Sequence, residues 1–126
     1  MFHYSKIPDG PEEEELKLCL KRFLNEKDDI MKGHGILYTL EQLEYISEKE
    51  IMSAYCKEDI DELSNFMIKI IDYENEERMD LILLIVIQMK LTKVLEKIQS
   101  EKNMANKNVI KLIEEAVEEF IGRVQQ

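Results

Sequence analysis

Leu81-Ile82-Leu83-Leu84-Ile85-Val86-Ile87 is an unbroken apolar run, and its secondary structure decides the fold. Such a run suits either a buried strand or the middle of a buried helix, so its flanks must arbitrate. Downstream, Leu84, Ile87, Leu91, Val94 and Ile98 are spaced 3, 4, 3 and 4, which places them on one side of a helix. No Pro or Gly falls between Asp72 and Lys102 to end a strand. The spacing predicts one long helix over residues 75–100, apolar on nearly every side in its first half and enclosed by other helices. A bilayer span needs about 20 mainly apolar residues. Asp80, Gln88, Lys90 and Lys93 bracket this run too closely for that.

Apolar periodicity predicts helices on both sides of this one. Leu16, Cys19, Leu20 and Phe23 form the inward stripe of a helix over 11–26, with Pro11 in its first turn and Glu12 to Glu15 favoured by the helix dipole. Lys32-Gly33-His34-Gly35 is a break, one glycine capping in a left-handed conformation. Thr39-Leu-Glu-Gln42 reads as a capping box with Tyr38 and Leu43 as its staple. Ser47-Glu-Lys-Glu50 is a second, with Ile46 and Ile51. Together they predict two short helices ending near Cys56.

Ile60, Leu63, Phe66, Met67 and Ile70 define a helix over 58–71, followed by a polar joint at 72–75. Asn106 or Asn108 caps a last helix reaching Val124, with Ile110, Ile113, Val117, Phe120 and Val124 as its seam. That seam has the spacing of the central helix, so the two are expected to pack as an antiparallel hairpin. The fold class is therefore all-α. One domain over 1–126 is expected, a bundle of about five helices around the buried helix 75–100, with residues 1–10 as an N-terminal arm.

The chain has 126 residues, 27 acidic and 17 basic, for a net charge of −10. Phosphate backbones are bound by clustered Lys and Arg, and here these residues are dispersed, which argues against nucleic acid as a direct partner. An acidic body instead suits a basic partner or simple solubility. Cys19 and Cys56 match neither a disulfide framework nor a metal knuckle. The N-terminus lacks an apolar stretch of signal-peptide length. These features point to a cytoplasmic setting without membrane attachment. The Lys, Glu and Ile bias is compatible with an AT-rich bacterial or phage genome.

Nucleophilic and zinc chemistry find no support in the two histidines and isolated cysteines. The carboxylates offer more. Asp59 and Glu62 share a helix face, as do Glu77 and Asp80 on the next helix. Convergence of the two pairs would suit Mg²⁺, which takes oxygen ligands. Glu58-Asp-Ile-Asp-Glu-Leu63 with Glu76-Glu-Arg-Met-Asp-Leu-Ile-Leu-Leu84 resembles the paired acidic motifs of the all-alpha nucleotide pyrophosphohydrolases, with Asp59 where Glu is usual. The resemblance covers residues 58–91. It implies Mg²⁺ held by Asp59, Glu62, Glu77 and Asp80, and release of pyrophosphate from nucleotide triphosphates.

The leading expectation is different: a small non-enzymatic protein, without cofactor, that binds another protein. An inhibitor, an immunity or antitoxin-like protein, a phage counter-defence protein or a regulatory adaptor would all fit. Phe2 and Tyr4 on the arm, or Asp72, Glu74 and Glu76 in the acidic joint, are the residues expected to meet a partner with a basic surface. The arm's other role is to fold back over the core. Self-association as a homodimer is a further option.

Overall fold

The computed structural model describes residues 3–8, 10–49 and 55–124. All regular structure among them is helical, as the apolar periodicities require. Six α-helices are present among the described residues: α1 (Glu13–His34), α2 (Ile36–Ser47), α3 (Lys57–Lys69), α4 (Glu76–Met89), α5 (Thr92–Glu101) and α6 (Lys107–Val124). None of them is long and apolar enough to cross a membrane. The chain divides into two compact units, Met1–Leu63 and Ser64–Gln126, with the boundary inside α3.

In the first unit, α1 runs two turns past the expected end at Glu26. The helical spacing continues from Phe23 to the buried Ile30, and nothing stops it before Gly35. Gly35 adopts φ 88 and ψ 173, and its N–H bonds to the Met31 carbonyl at 2.9 Å. The positive φ suits a residue without Cβ. Gly35 closes α1 and opens α2 in one step. The helix start is also corrected: Pro11 precedes the N-cap Glu12 and does not lie in the first turn.

The first expected capping box does not form. Thr39 lies inside α2, where its hydroxyl donates to the Gly35 carbonyl at 2.8 Å. Ser47 ends α2 and donates back to the Glu44 carbonyl at 3.0 Å. Back-bonding within the helix has taken the Thr39 hydroxyl that a cap would use. Glu50 and Ile51, the remaining parts of the second box and staple, lie outside the described residues.

The arm turns inward. Tyr4 is 1% exposed, sits in a short 3-10 turn (Tyr4–Lys6), and meets the Phe23 ring edge-on at 6.1 Å. Its hydroxyl donates to Glu26 Oε2 at 3.0 Å, which satisfies the one polar atom buried with the ring.

In the second unit, the expected long helix is broken. α4 ends at Met89 and Lys90 adopts φ 53 and ψ 49, the left-handed region. The Lys90 N–H reaches the Ile87 carbonyl at 3.3 Å and the Leu91 N–H reaches Val86 at 3.0 Å. That pair of bonds is the Schellman motif, with lysine where glycine is usual. Leu91, 1% exposed, and Val86, fully buried, supply its apolar contact. The chain then reverses into α5.

The reversal changes the packing partner. Tyr73, just before α4, donates to Glu101 at the end of α5, so α4 and α5 are antiparallel. Asn106 reaches the Glu74 carbonyl at 3.4 Å, and Asn108 reaches Glu76 at 3.2 Å. The starts of α4 and α6 are therefore side by side, and these two helices run parallel. The predicted antiparallel hairpin is corrected because an extra helix, α5, lies between its arms. Asn106 caps α6 as expected, accepting from the Val109 N–H, and Asn75 caps α4 by accepting from the Arg78 N–H.

Five of the seven residues in the apolar run are buried; Leu81 is half-buried and Leu84 is exposed. The buried face of α6 is Val109, Ile113 and Ala116. Ile110 and Val117, expected on the seam, are only half-buried.

Candidate functional site: an acid-rimmed groove on the second unit

Along the contact of α4 and α6 lies a groove of about 130 Å³. Its floor is Leu83, Ile87 and Ala116, all buried side chains. Leu84, 37% exposed, and Leu112 form its apolar walls. On the α6 side, buried Ala116 lines the groove with a single methyl. The opening is small, close to what one large apolar side chain occupies; an apolar cavity of about 150 Å³ accepts benzene.

The rim is acidic. Asp80 stands on the α4 side, and Glu115 and Glu119 on the α6 side. Glu119 takes an ion pair from Arg123 at 3.4 Å. Asp80 and Glu115 are exposed and have no side-chain partner among the described residues. Among the described residues, no basic side chain lines the groove.

A second, more open cavity of about 270 Å³ lies on α1, lined by Glu26, Asp29, Ile30, Gly33 and His34. Its polar groups are already engaged in part. Glu26 holds the Tyr4 hydroxyl, and His34 stacks on Tyr38 with ring centroids 4.5 Å apart.

The carboxylates of the pyrophosphohydrolase resemblance have separate environments. Asp59 is buried beside Lys21, whose ammonium lies 2.9 Å from Oδ2 and 3.2 Å from Oδ1. Burial acts to raise the Asp59 carboxyl, but the hydrogen bonds of Lys21 and Cys56 and the Lys21 charge hold it below the ordinary range. Glu62, Glu77 and Asp80 are exposed. Among the described residues, no group of three or more His, Cys, Asp or Glu is arranged to hold a metal ion. Asp59 and Glu62 belong to the first unit, Glu77 and Asp80 to the second.

Of the residues expected to meet a partner, Phe2 lies outside the described residues, and Tyr4 is too deeply buried to do so. Asp72 is spent on its own joint. It accepts from the Glu74 N–H at 3.1 Å and pairs with Arg78 at 3.7 Å. The Arg78 Nε also donates to the Ile70 carbonyl at 2.7 Å, closing the turn before α4. Glu76 accepts from Asn108, and the Glu74 side chain is exposed. Sequence reasoning missed the groove. The acid pairs Glu114-Glu115 and Glu118-Glu119 were visible, but a lone alanine in a helical seam carries no signal until its neighbouring helix is known.

No family model, curated protein or solved structure matches this chain.

Proposed function

We propose that this protein acts in the cytoplasm by binding another protein, and that the α4–α6 groove receives a basic segment of it. The observation that carries this reading is the pairing of an apolar floor with two exposed, unpartnered carboxylates, Asp80 and Glu115, on opposite walls. A carboxylate in water gains little from a distant cation. Beside an apolar surface that a ligand desolvates, the same attraction strengthens. Apolar insertion would then supply affinity, while the rim would steer the encounter and select positive charge.

The reading does not need the whole chain to be a uniform acidic surface. Exposed charges far apart are screened over about 8–10 Å at ordinary ionic strength. Only carboxylates within reach of the docked segment count, so the local rim matters more than the net charge.

Calorimetric titration with small basic proteins and with a synthetic amphipathic Leu/Lys helix tests the proposal. Binding is expected at low ionic strength, weakening as salt rises, and abolished by the double variant Asp80→Lys, Glu115→Lys. Absence of salt-sensitive binding to every basic ligand removes the reading.

A further inference from the structure

The chain carries its own candidate occupant for this groove. Met104 lies in the 3-10 turn Lys102–Met104 between α5 and α6 and is 66% exposed. It is the most exposed of the large apolar side chains among the described residues. Methionine is unbranched and adaptable, a shape that enters an irregular apolar slot readily.

Its neighbours have the sign that the groove lacks. The segment reads Lys102-Asn103-Met104-Ala105-Asn106-Lys107. Lys107 is exposed and has no side-chain partner among the described residues. Among the described residues, Lys102 makes only a long ion pair to Glu114, 3.9 Å, with both side chains substantially exposed. An apolar side chain between two lysines thus complements an apolar slot between Asp80 and Glu115.

We propose that a second copy of this chain occupies the groove, Met104 of one copy entering between α4 and α6 of the other, with Lys102 and Lys107 set against Asp80 and Glu115. In a two-fold dimer each copy gives one Met104 turn and receives one, so both grooves fill together. Both turn and groove belong to the second unit. The proposal rests on the groove being a docking surface. It adds that self-association competes with any other basic ligand for the same space.

Sedimentation velocity of the full chain across a concentration series reads the outcome. The wild type is expected to dimerise with concentration, less strongly at high salt. Met104→Ala weakens dimerisation about tenfold or more, as loss of a central anchor does. Ala116→Leu fills the slot and has the same effect, with circular dichroism and melting confirming that it folds. Met104→Lys, a fully surface change, provides the same reading should Ala116→Leu fail to fold.

Charge exchange is the sharpest arm. Glu115→Lys alone and Lys107→Glu alone each place like charges at both contacts and dimerise poorly. Mixing the two variants restores opposite charges at both contacts, so a mixed dimer forms at near wild-type strength. A monomer at all concentrations, or a dimer indifferent to Met104, Ala116 and the charge exchange, overturns the proposal. Titration of the monomeric Met104→Lys variant with the Leu/Lys helix separates the two readings. Binding there with no wild-type dimer leaves the groove as a docking surface and removes only the second copy.

Discussion

The hydroxyl of Tyr73 donates to Glu101 Oε1 at 2.9 Å, joining residues that are 28 apart in sequence. It ties the approach to α4 to the last turn of α5, and so records the reversal at Lys90 from a distance. Burial and the Glu101 carboxylate together push the Tyr73 phenol well above its ordinary range, so it stays a donor at any physiological pH. Tyr73→Phe is expected to cost about 1 kcal/mol in chemical denaturation, the usual net worth of such a bond. No change would mean that α5 is held by its apolar face alone.

Lys90 is the described non-glycine residue with positive φ. A side chain in that region costs about 1–2 kcal/mol. Lys90→Gly should therefore stabilise, by up to about 1 kcal/mol once the added freedom of the unfolded chain is deducted. Lys90→Ala keeps the Cβ and should bring no such gain. Denaturation midpoints of the three proteins order them, and a destabilised Lys90→Gly would show that the lysine side chain contributes something the backbone does not reveal.

Ile82 and Ile85 are fully buried, whereas Leu84, between them, is exposed at the groove. Ile82→Ala or Ile85→Ala is expected to cost about 2–5 kcal/mol through lost transfer energy and cavity formation. Leu84→Ala should cost well under that while weakening ligand binding. Equal losses at the three positions would place Leu84 in the core.

Two carboxyls give opposite pH signatures. Asp59 titrates below the ordinary range in the fold, despite burial, because of Lys21 and Cys56. Its contribution is present above the ordinary carboxylate pKa and is lost as pH falls through the lowered value. Glu44 is raised, by burial first and then by Glu48 and Glu41, so the fold holds its proton more tightly than the unfolded chain does. Its effect is a loss of stability as pH rises from the ordinary carboxylate value through the raised one. Melting curves between pH 3 and 7 should show Asp59→Asn flattening the acid limb and Glu44→Gln raising stability on the neutral side.

Mg²⁺ bears on the carboxylates that resemble those of the pyrophosphohydrolases. Asp59 is already paired with Lys21, and no metal-holding group occurs among the described residues. Millimolar Mg²⁺ is expected to leave the melting temperature unchanged. A rise that disappears in Glu77→Ala, with pyrophosphate released from nucleotide triphosphates, would restore that reading.

Much of the helical layout is legible in the sequence. Periodicity is a property of neighbouring residues, and the stripes Leu16-Cys19-Leu20-Phe23 and Ile60-Leu63-Phe66-Met67-Ile70 are buried as their spacing implies, except that Cys19 and Ile60 are half-buried. The caps at Asn75 and Asn106 are local too, each bonding three residues ahead. Local chemistry misled at Thr39, where the hydroxyl turns back into the preceding helical turn. The site was hardly legible at all. Its acids were countable, but its floor depends on which face α6 turns toward α4.

Helical class, helix phase and the buried character of the apolar run belong to the sequence itself, because a 3.6-residue period and side-chain hydrophobicity act within a few turns. Tertiary structure alone decided the break at Lys90, the parallel course of α4 and α6, the inward turn of Tyr4, and the pairing of Lys21 with Asp59. The apolar spacing from Leu84 to Ile98 stays in phase straight through the reversal, so a continuous helix and a folded-back pair satisfy the same local pattern. What separates them is the burial of Leu91 and the contacts of α5 with residues far away in the chain, which outweigh the strain of one lysine.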